Sequence, residues 1–245
     1  MMKYKNYIFD LYGTLIDIHT DEDQPELWKF MAEYLEKNFG TKYDYKVLKK
    51  EYGKLCKQET EALAERNGSK HPEIKIQWVW QKLIDAPCSD EQMKDLCTAF
   101  REKSRDKLVR YEGVKETLAS IKQAGGKVYL LSNAQRLFTE KELEDTELTQ
   151  YFDDIFISSD MEIKKPDGAF LQQLIDKHSL VKSESVMIGN EIFADVGVAA
   201  AVGLDAIYLN TYSRSKREIN HNLKRCGADI NKVKFVDDGD IRKIE

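Results

Sequence analysis

The sequence predicts an α/β protein in which a parallel β-sheet carries helices on both faces and a helical block is inserted after the first strand. Two observations support this prediction. The first is that short apolar runs bounded by turn residues alternate with helical segments such as 114–124 and 168–178. This alternation is typical of a parallel sheet that is covered on both sides. The predicted strands are Tyr7-Ile8-Phe9, Val128-Tyr129-Leu130-Leu131, Ile155-Phe156-Ile157, Val186-Met187-Ile188 and Ala206-Ile207-Tyr208-Leu209.

The second observation is the stretch 25–110, which shows helical periodicity and no convincing strand. A first helix begins near Pro25, since proline suits the first helical turn. A second covers residues 45–66, a third ends before Pro87, and a fourth opens at Ser89 with a capping pattern. We therefore predict a core domain formed by residues 1–16 and 112–245, and an α-helical cap domain formed by residues 17–111.

Composition is that of an ordinary globular protein and argues against a nucleic-acid partner. The 245 residues carry a formal net charge of −5, whereas a nucleic-acid-binding face is usually basic. No apolar stretch approaches the ~18 residues of a membrane-spanning helix. The amino terminus runs directly into an apolar strand, and the four cysteines form no CxxC pair. We expect a cytoplasmic protein with reduced thiols and no nucleic-acid or membrane partner, monomeric by default, with a dimer left open.

Polar residues follow four of the predicted strands. In open parallel sheets, ligands bind outside the carboxyl ends of the strands, so we expect these side chains to converge. They are Asp10, Gly13 and Thr14 after the first strand, Ser132 and Asn133 after the second, Lys165 beyond the third, and Gly189, Asn190, Glu191 and Asp195 after the fourth. Carboxylates, hydroxyls and a lysine together suit a phosphate group and a divalent cation.

At these residues the sequence resembles the haloacid dehalogenase superfamily of hydrolases, over nearly its whole length. The four motifs of that superfamily are resembled, in order, by Asp10-Leu11-Tyr12-Gly13-Thr14-Leu15, Ser132-Asn133, Lys165-Pro166-Asp167 and Gly189-Asn190-Glu191-Ile192-Phe193-Ala194-Asp195. Each motif alone is weak, whereas four in order at strand ends are specific. The resemblance implies a three-layer Rossmann-like core, and the helical insertion is similar to the first cap class of the superfamily.

The resemblance also implies a phosphatase acting on a small phosphorylated metabolite. Asp10 would attack phosphorus and form an aspartyl-phosphate, which splits one difficult step into two. Thr14, Ser132 with the amides beside it, and Lys165 would hold the oxygens of the transferring group, and Asn133 belongs to the same implied catalytic set. Lys165 would also reduce the repulsion between an anionic nucleophile and an anionic substrate.

A magnesium ion is implied by the same resemblance. Its ligands would be Asp10, the main-chain carbonyl of Tyr12 and the acidic residues of the fourth motif. That motif departs from the usual pattern, because Asn190 stands where an aspartate is expected and one negative charge is lost. Glu191 is the candidate to compensate, and Asp195 supplies the remaining charge.

Tyr12 is the second departure from the pattern. Phosphatases of the superfamily usually carry an aspartate at this position, as general acid and base. A phenol with a pKa of about 10 is a poor base at neutral pH, although it can donate a proton. Dehalogenases of the superfamily do carry tyrosine here and need no metal. They also place an arginine in the early cap, whereas this chain has none between Asp10 and Arg66.

Two alternatives to a phosphatase therefore stay open. One is a metal-independent 2-haloacid dehalogenase, which Tyr12 favours and the missing arginine disfavours. The other is a non-catalytic or weakly active protein that binds phosphate esters, which both Tyr12 and Asn190 favour, because each replaces an acidic residue of an active phosphatase.

Overall fold

The computed structural model describes residues 3–244, which form eight strands and ten α-helices. The strands are β1 (Asn6–Phe9), β2 (Ile16–Thr20), β3 (Arg105–Arg110), β4 (Lys127–Ser132), β5 (Asp154–Ile157), β6 (Ser185–Gly189), β7 (Asp205–Leu209) and β8 (Val233–Val236). The helices are α1 (Pro25–Phe39), α2 (Tyr45–Asn67), α3 (Ile76–Ile84), α4 (Asp90–Ser104), α5 (Val114–Gln123), α6 (Arg136–Asp145), α7 (Ser158–Met161), α8 (Gly168–His178), α9 (Gly197–Val202) and α10 (Lys216–Cys226).

Six of the strands form one sheet in the order β5-β4-β1-β6-β7-β8, and every neighbouring pair is parallel. The α/β fold class predicted from the sequence is confirmed, and so are the five predicted strands. The sequence prediction omitted β8 at the edge of the sheet. Its four residues, Val-Lys-Phe-Val, are too short a run, and include a lysine, so they do not stand out as a buried strand.

The two faces of the sheet are covered by separate groups of apolar side chains. Along β1, Tyr7 and Phe9 pack on one side with residues of α5, whereas Ile8 packs on the other side with residues of α8 and α9. This alternation is the period of two that a strand imposes on its side chains. Both faces are therefore buried, as the three-layer prediction requires.

The chain leaves the sheet through β2 and returns through β3, and these two strands form an antiparallel ribbon. The prediction that no strand interrupts residues 25–110 was wrong at its end, because α4 stops at Ser104 and β3 follows at once. The sequence of β3, Arg-Asp-Lys-Leu-Val-Arg, is mostly charged and half-exposed or exposed, so it carries no apolar strand signal. Its pairing with β2 specifies it instead.

Helices α1 to α4 enclose an apolar cluster of their own. Four aromatic rings lie at its centre, with ring centroids 5.1–5.8 Å apart, at Trp28, Tyr52, Trp80 and Phe100. Aromatic pairs at such distances contribute ~0.5–1.5 kcal/mol beyond the area that they bury. The division into a core of 1–16 and 112–245 and a cap of 17–111 stays a prediction. Across residues 3–244, no helix has the length and apolar character needed to cross a bilayer.

Candidate active site

Asp10 lies immediately after β1, at the carboxyl end of a central strand. Its backbone N–H donates to the carbonyl of Ile188 in β6 (2.9 Å), which anchors the residue to the neighbouring strand. The chain then turns sharply through Gly13, whose φ of +77° suits glycine. A Cβ atom on Gly13 would also lie 2.2 Å from Nδ2 of Asn190. Glycine is thus required here both by its conformation and by the close approach of the fourth motif.

Lys165 connects two carboxylates beneath this turn. Its Nζ donates to Oδ1 of Asp10 and to Oδ1 of Asp195, at 2.7 Å in each case, and all three residues are buried. Burial opposes the charge of the ammonium group, yet the two carboxylates hold the pKa of Lys165 above its ordinary value. The lysine therefore stays protonated and neutralises part of the negative charge around Asp10.

Asn133 fixes the backbone of this lysine. Its side-chain amide donates to the carbonyl of Lys165 (3.0 Å), and its side-chain oxygen accepts from the N–H of the same residue (2.8 Å). Asn133 follows β4, and Lys165 follows β5 and α7. The side chain of Asn133 thus holds the backbone of Lys165 in place, and its membership of the catalytic set stays a prediction.

Two hydroxyl groups lie at the same strand ends. Thr14 donates to Oδ2 of Asp10 (3.3 Å) and approaches Oδ1 of Asn190 (3.2 Å). Ser132, the last residue of β4, is completely buried, and within residues 3–244 its Oγ finds no hydrogen-bond partner. The Ser132 hydroxyl is thus available to bind an oxygen atom at this strand end.

The fourth motif brings two of its three polar residues to the centre. Asn190 meets Thr14, and Asp195 meets Lys165. Asp195 lies in a π-helical turn, Ile192–Val196, and its Oδ2 accepts from the N–H of Glu191 (2.9 Å). A Cβ on Gly189 would lie 2.1 Å from Oδ2 of Asp195, so glycine allows this approach. Burial raises the pKa of Asp195, and the charge of Lys165 opposes that effect.

Glu191 is directed elsewhere. Its carboxylate binds the guanidinium group of Arg214 (2.8 Å), in the loop before α10, and is 44% exposed. Arg214 also binds Glu218 of α10 (3.0 Å). As a magnesium ligand, Glu191 stays a prediction, and the geometry gives its carboxylate another partner.

The oxygen atoms around Asp10 suit a magnesium ion, although this set of ligands carries less negative charge than usual. Asp10 and Asn190 each place a side-chain oxygen beside the Thr14 hydroxyl, at 3.3 and 3.2 Å, and the carbonyl of Tyr12 belongs to the same turn. Carboxylate and carbonyl oxygens are the donors that Mg²⁺ prefers. Among the described residues, however, no three His, Cys, Asp or Glu side chains are grouped to hold a metal. A cation would therefore rest on one carboxylate, that of Asp10, and on neutral oxygens.

The side chain of Tyr12 belongs to a different network. Its hydroxyl donates to Oε2 of Glu142 (2.6 Å), a completely buried residue of α6. Glu142 also accepts from Arg101 (2.7 Å) and Arg105 (3.3 Å), and each arginine side chain is 14% exposed. Burial and the charge of Glu142 raise the pKa of the Tyr12 phenol far above its ordinary value. The phenol therefore keeps its proton and donates it in a hydrogen bond to Glu142.

Sequence reasoning missed this network, which joins the inserted helices to the sheet domain. Arg101 lies in α4 with its guanidinium carbon 5.8 Å from the centre of the Tyr12 ring, although the two residues are far apart in the sequence. No local motif marks Arg101, Arg105 or Glu142, because only the fold brings them together. Arg101, near the end of the inserted segment, therefore does lie close to Tyr12, but the carboxylate of Glu142 neutralises its charge.

Tyr212 was also missed, because the stretch 211–226 is polar. Its hydroxyl would lie 2.6 Å from a Cβ on Gly13, and its ring is largely exposed. Tyr212 thus places a second phenol near the turn, on the side of Asn190.

The buried side chains of Asp10, Lys165 and Asp195 thus lie together at the carboxyl ends of a parallel sheet, where ligands bind in folds of this class. The chain belongs to the haloacid dehalogenase-like hydrolases, whose family model matches residues 7–209. The recognition made from the four motifs is confirmed.

Relatives within this family differ in activity. The chain is 38% identical over 87 residues to the phosphoglycolate phosphatase of Photobacterium profundum (34% of this chain and 38% of that protein). It is 32% identical over 118 residues to the phosphoglycolate phosphatase of Vibrio vulnificus strain YJ016 (45% and 52%). Matches to these phosphatases thus span about half of their length or less. It is also 24% identical over 209 residues to (S)-2-haloacid dehalogenase 4A of Burkholderia cepacia (83% and 81%).

Solved structures confirm the fold. A haloacid dehalogenase-type phosphatase from Thermococcus onnurineus superposes with a TM-score of 0.54 at 19% identity, covering 84% of this chain and 86% of that one. The L-2-haloacid dehalogenase of Xanthobacter autotrophicus superposes with a TM-score of 0.50 at 17% identity, covering 94% and 86%. The architecture is therefore shared by enzymes of both kinds.

Proposed function

We propose that the protein is a phosphatase of a small phosphorylated metabolite and that Asp10 is its nucleophile. The observation that carries this proposal is the unpaired, buried hydroxyl of Ser132 at the end of β4, the strand beside β1 and Asp10. A phosphoryl group presents oxygens that such a hydroxyl can bind. The carboxylate of a 2-haloacid also presents oxygens to this hydroxyl, so the choice between the two candidates rests on Arg101 and its pairing with Glu142.

In the proposed reaction, an Asp10 oxygen forms a bond to phosphorus while the bond between phosphorus and the leaving oxygen breaks. Lys165 holds Asp10 in place and offsets the negative charge of the incoming phosphate. Asp195 keeps the ammonium group of Lys165 aligned from the other side. Ser132 and Thr14 donate hydrogen bonds to the oxygens of the transferring group.

A magnesium ion held by Asp10, the Tyr12 carbonyl and Asn190 would supply further positive charge to the phosphoryl oxygens. Helices α1 to α4, within the proposed cap of 17–111, would cover the site and select the substrate. The proposal includes a monomer that acts in the cytoplasm on a small phosphate ester.

Dehalogenation of a 2-haloacid is the second candidate, and Tyr12 together with the long alignment to a dehalogenase favours it. The state of the arginine that would bind the halide argues against dehalogenation. Arg101 is the arginine that lies against Tyr12, and it is already paired with the buried carboxylate of Glu142. A haloacid would have to compete with Glu142 for that guanidinium group.

The test combines two assays on wild-type protein and on the variant Asp10→Asn. Release of phosphate from p-nitrophenyl phosphate is measured with and without Mg²⁺, and halide release from 2-chloropropionate is measured with a chelator. The proposal expects magnesium-dependent phosphate release that Asp10→Asn abolishes. Halide release with a chelator would support the second candidate. Tight binding of phosphate esters without turnover would indicate a binding protein.

A further inference from the structure

Resting on the proposed function, we propose that the leaving group of the natural substrate departs as an anion, without protonation by the enzyme. The substrate is then an acyl phosphate, or the phosphate of an acidic enol or phenol. Glu142 imposes this restriction, because its buried carboxylate holds the hydroxyl of Tyr12, which stands where a general acid is expected.

The surroundings of Glu142 explain why the Tyr12 hydroxyl stays bound to its carboxylate. Glu142 is completely buried, and Arg101 and Arg105 both bind its Oε1 while Tyr12 binds its Oε2. Turning the phenol toward a leaving group would break a 2.6 Å bond and leave a buried carboxylate oxygen unpaired. A hydrogen bond to a charged buried group is among the costliest to lose. The structure therefore opposes proton donation by Tyr12.

The groups that contact Asp10 are no better as acids. Lys165 is buried and donates to both Asp10 and Asp195 at 2.7 Å, so its ammonium group is held by two carboxylates and is not directed at a leaving group. Thr14 is an alcohol and does not ionise in this range. Tyr212 is the remaining phenol near the turn, and its hydroxyl lies against Gly13, on the side of Asn190.

The chemistry balances without an enzymatic acid when the leaving group is a stable anion. An Asp10 oxygen bonds to phosphorus, the bond from phosphorus to the leaving oxygen breaks, and that oxygen keeps the electron pair. A carboxylate or an acidic phenolate needs no proton to do so. Water then bonds to phosphorus, the bond to Asp10 breaks and restores its carboxylate, and the proton of the water passes to a phosphoryl oxygen. The products are free Asp10 and dihydrogen phosphate.

The experiment measures kcat/KM with 2,4-dinitrophenyl, p-nitrophenyl and phenyl phosphate, and with acetyl phosphate, for wild type and three variants. In wild type we expect efficient release from acetyl and dinitrophenyl phosphate and a steep fall toward phenyl phosphate. The variant Tyr12→Asp supplies an acid, which is worth a factor of roughly 10² to 10⁴ for a poor leaving group. The ratio of dinitrophenyl to phenyl phosphate rates should shrink by that factor.

The variants Tyr12→Phe and Tyr212→Phe are the controls, and Tyr12→Phe carries the test if Tyr12→Asp does not fold. Each should change the rates of all substrates by one common factor and leave the ratio as in wild type. A selective loss of phenyl phosphate turnover in either variant would identify that tyrosine as the acid and overturn the inference. Similar wild-type rates for all substrates would overturn it too, while leaving the proposed phosphatase intact. No phosphate release from any substrate would overturn both.

Discussion

The hydroxyl of Tyr12 donates a 2.6 Å hydrogen bond to the carboxylate of Glu142. This contact joins the turn that carries Asp10 to helix α6, and the same carboxylate binds two arginines at the end of the inserted helices. One residue thereby fixes the orientation of Tyr12 and also ties the insertion to the sheet domain.

Replacing Glu142 should destabilise the protein strongly. In Glu142→Ala, Arg101 and Arg105 lose the carboxylate that neutralises them in a nearly buried place. Breaking a buried ion pair from one side costs ~3–5 kcal/mol. The free energy of unfolding from urea titrations measures the effect. Glu144→Ala is the matched control, because Glu144 is an exposed residue of the same helix, and it should change stability by less than ~0.5 kcal/mol. Equal effects of the two variants would contradict the network.

Ser132→Ala should separate binding from stability. Because the Ser132 hydroxyl has no partner within residues 3–244, its removal should leave the free energy of unfolding unchanged or slightly higher. Loss of a hydrogen bond to a charged phosphate should lower kcat/KM by roughly 10- to 100-fold. Ser185→Ala is the matched control, because Ser185 is equally buried, starts β6 and bonds to Asn6 and Val181. It should lose stability and keep turnover, and the reverse pattern would refute the phosphate site.

Asn190→Asp should strengthen magnesium binding. The change adds a carboxylate beside Thr14 and near Oδ2 of Asp10. One additional charge at such a distance is worth ~1 kcal/mol or more, so the half-activating Mg²⁺ concentration should fall by about 5-fold or more. Phosphate release titrated with Mg²⁺ measures it. Glu191→Gln is the control, because the Glu191 carboxylate binds Arg214. It should leave the requirement for Mg²⁺ as in wild type. If Glu191→Gln raises that requirement, Glu191 is a ligand after all.

Gly189→Ala should damage the centre of the site. The new methyl group would lie 2.1 Å from Oδ2 of Asp195, so Asp195 must move away from Lys165. We expect lower stability and a loss of kcat of roughly 10-fold or more, since Lys165 loses one of the two carboxylates that align it. Gly53→Ala is the control, because a Cβ there meets nothing within 4 Å in α2. It should stabilise the helix by up to ~1 kcal/mol. A tolerated Gly189→Ala would show that Asp195 is not needed in its present place.

Much of this arrangement follows from the sequence. Buried strands such as β4 and β6 are continuous apolar runs, so the sequence alone locates their carboxyl ends, and with them Ser132 and Asn190. The sequence also indicates the capped start of α4 at Ser89, and the structure shows the complete capping box with Gln92. Local sequence patterns predict structure well where the chain has a continuous apolar run or a clear helix-capping signal.

The remainder depends on contacts between distant segments. The strand β3 is charged, so only its pairing with β2 reveals it. The direction of a side chain is equally hidden, because nothing near Glu191 in the sequence shows that its carboxylate contacts Arg214. Tyr12 is the clearest case. The sequence shows a phenol in place of an acid, whereas only the fold shows the carboxylate that holds it.

The central claim is that Asp10 forms a covalent bond to phosphorus, and trapping of that bond tests it most directly. Wild-type protein is mixed with acetyl phosphate and Mg²⁺, quenched in acid within seconds, reduced with borohydride and digested for mass spectrometry. Reduction of an aspartyl-phosphate converts the residue to homoserine. We predict homoserine at position 10 in wild-type protein and none in Lys165→Ala. The yield should be higher when hydrolysis of the aspartyl-phosphate is slow. Unmodified Asp10 during active phosphate release would contradict the account.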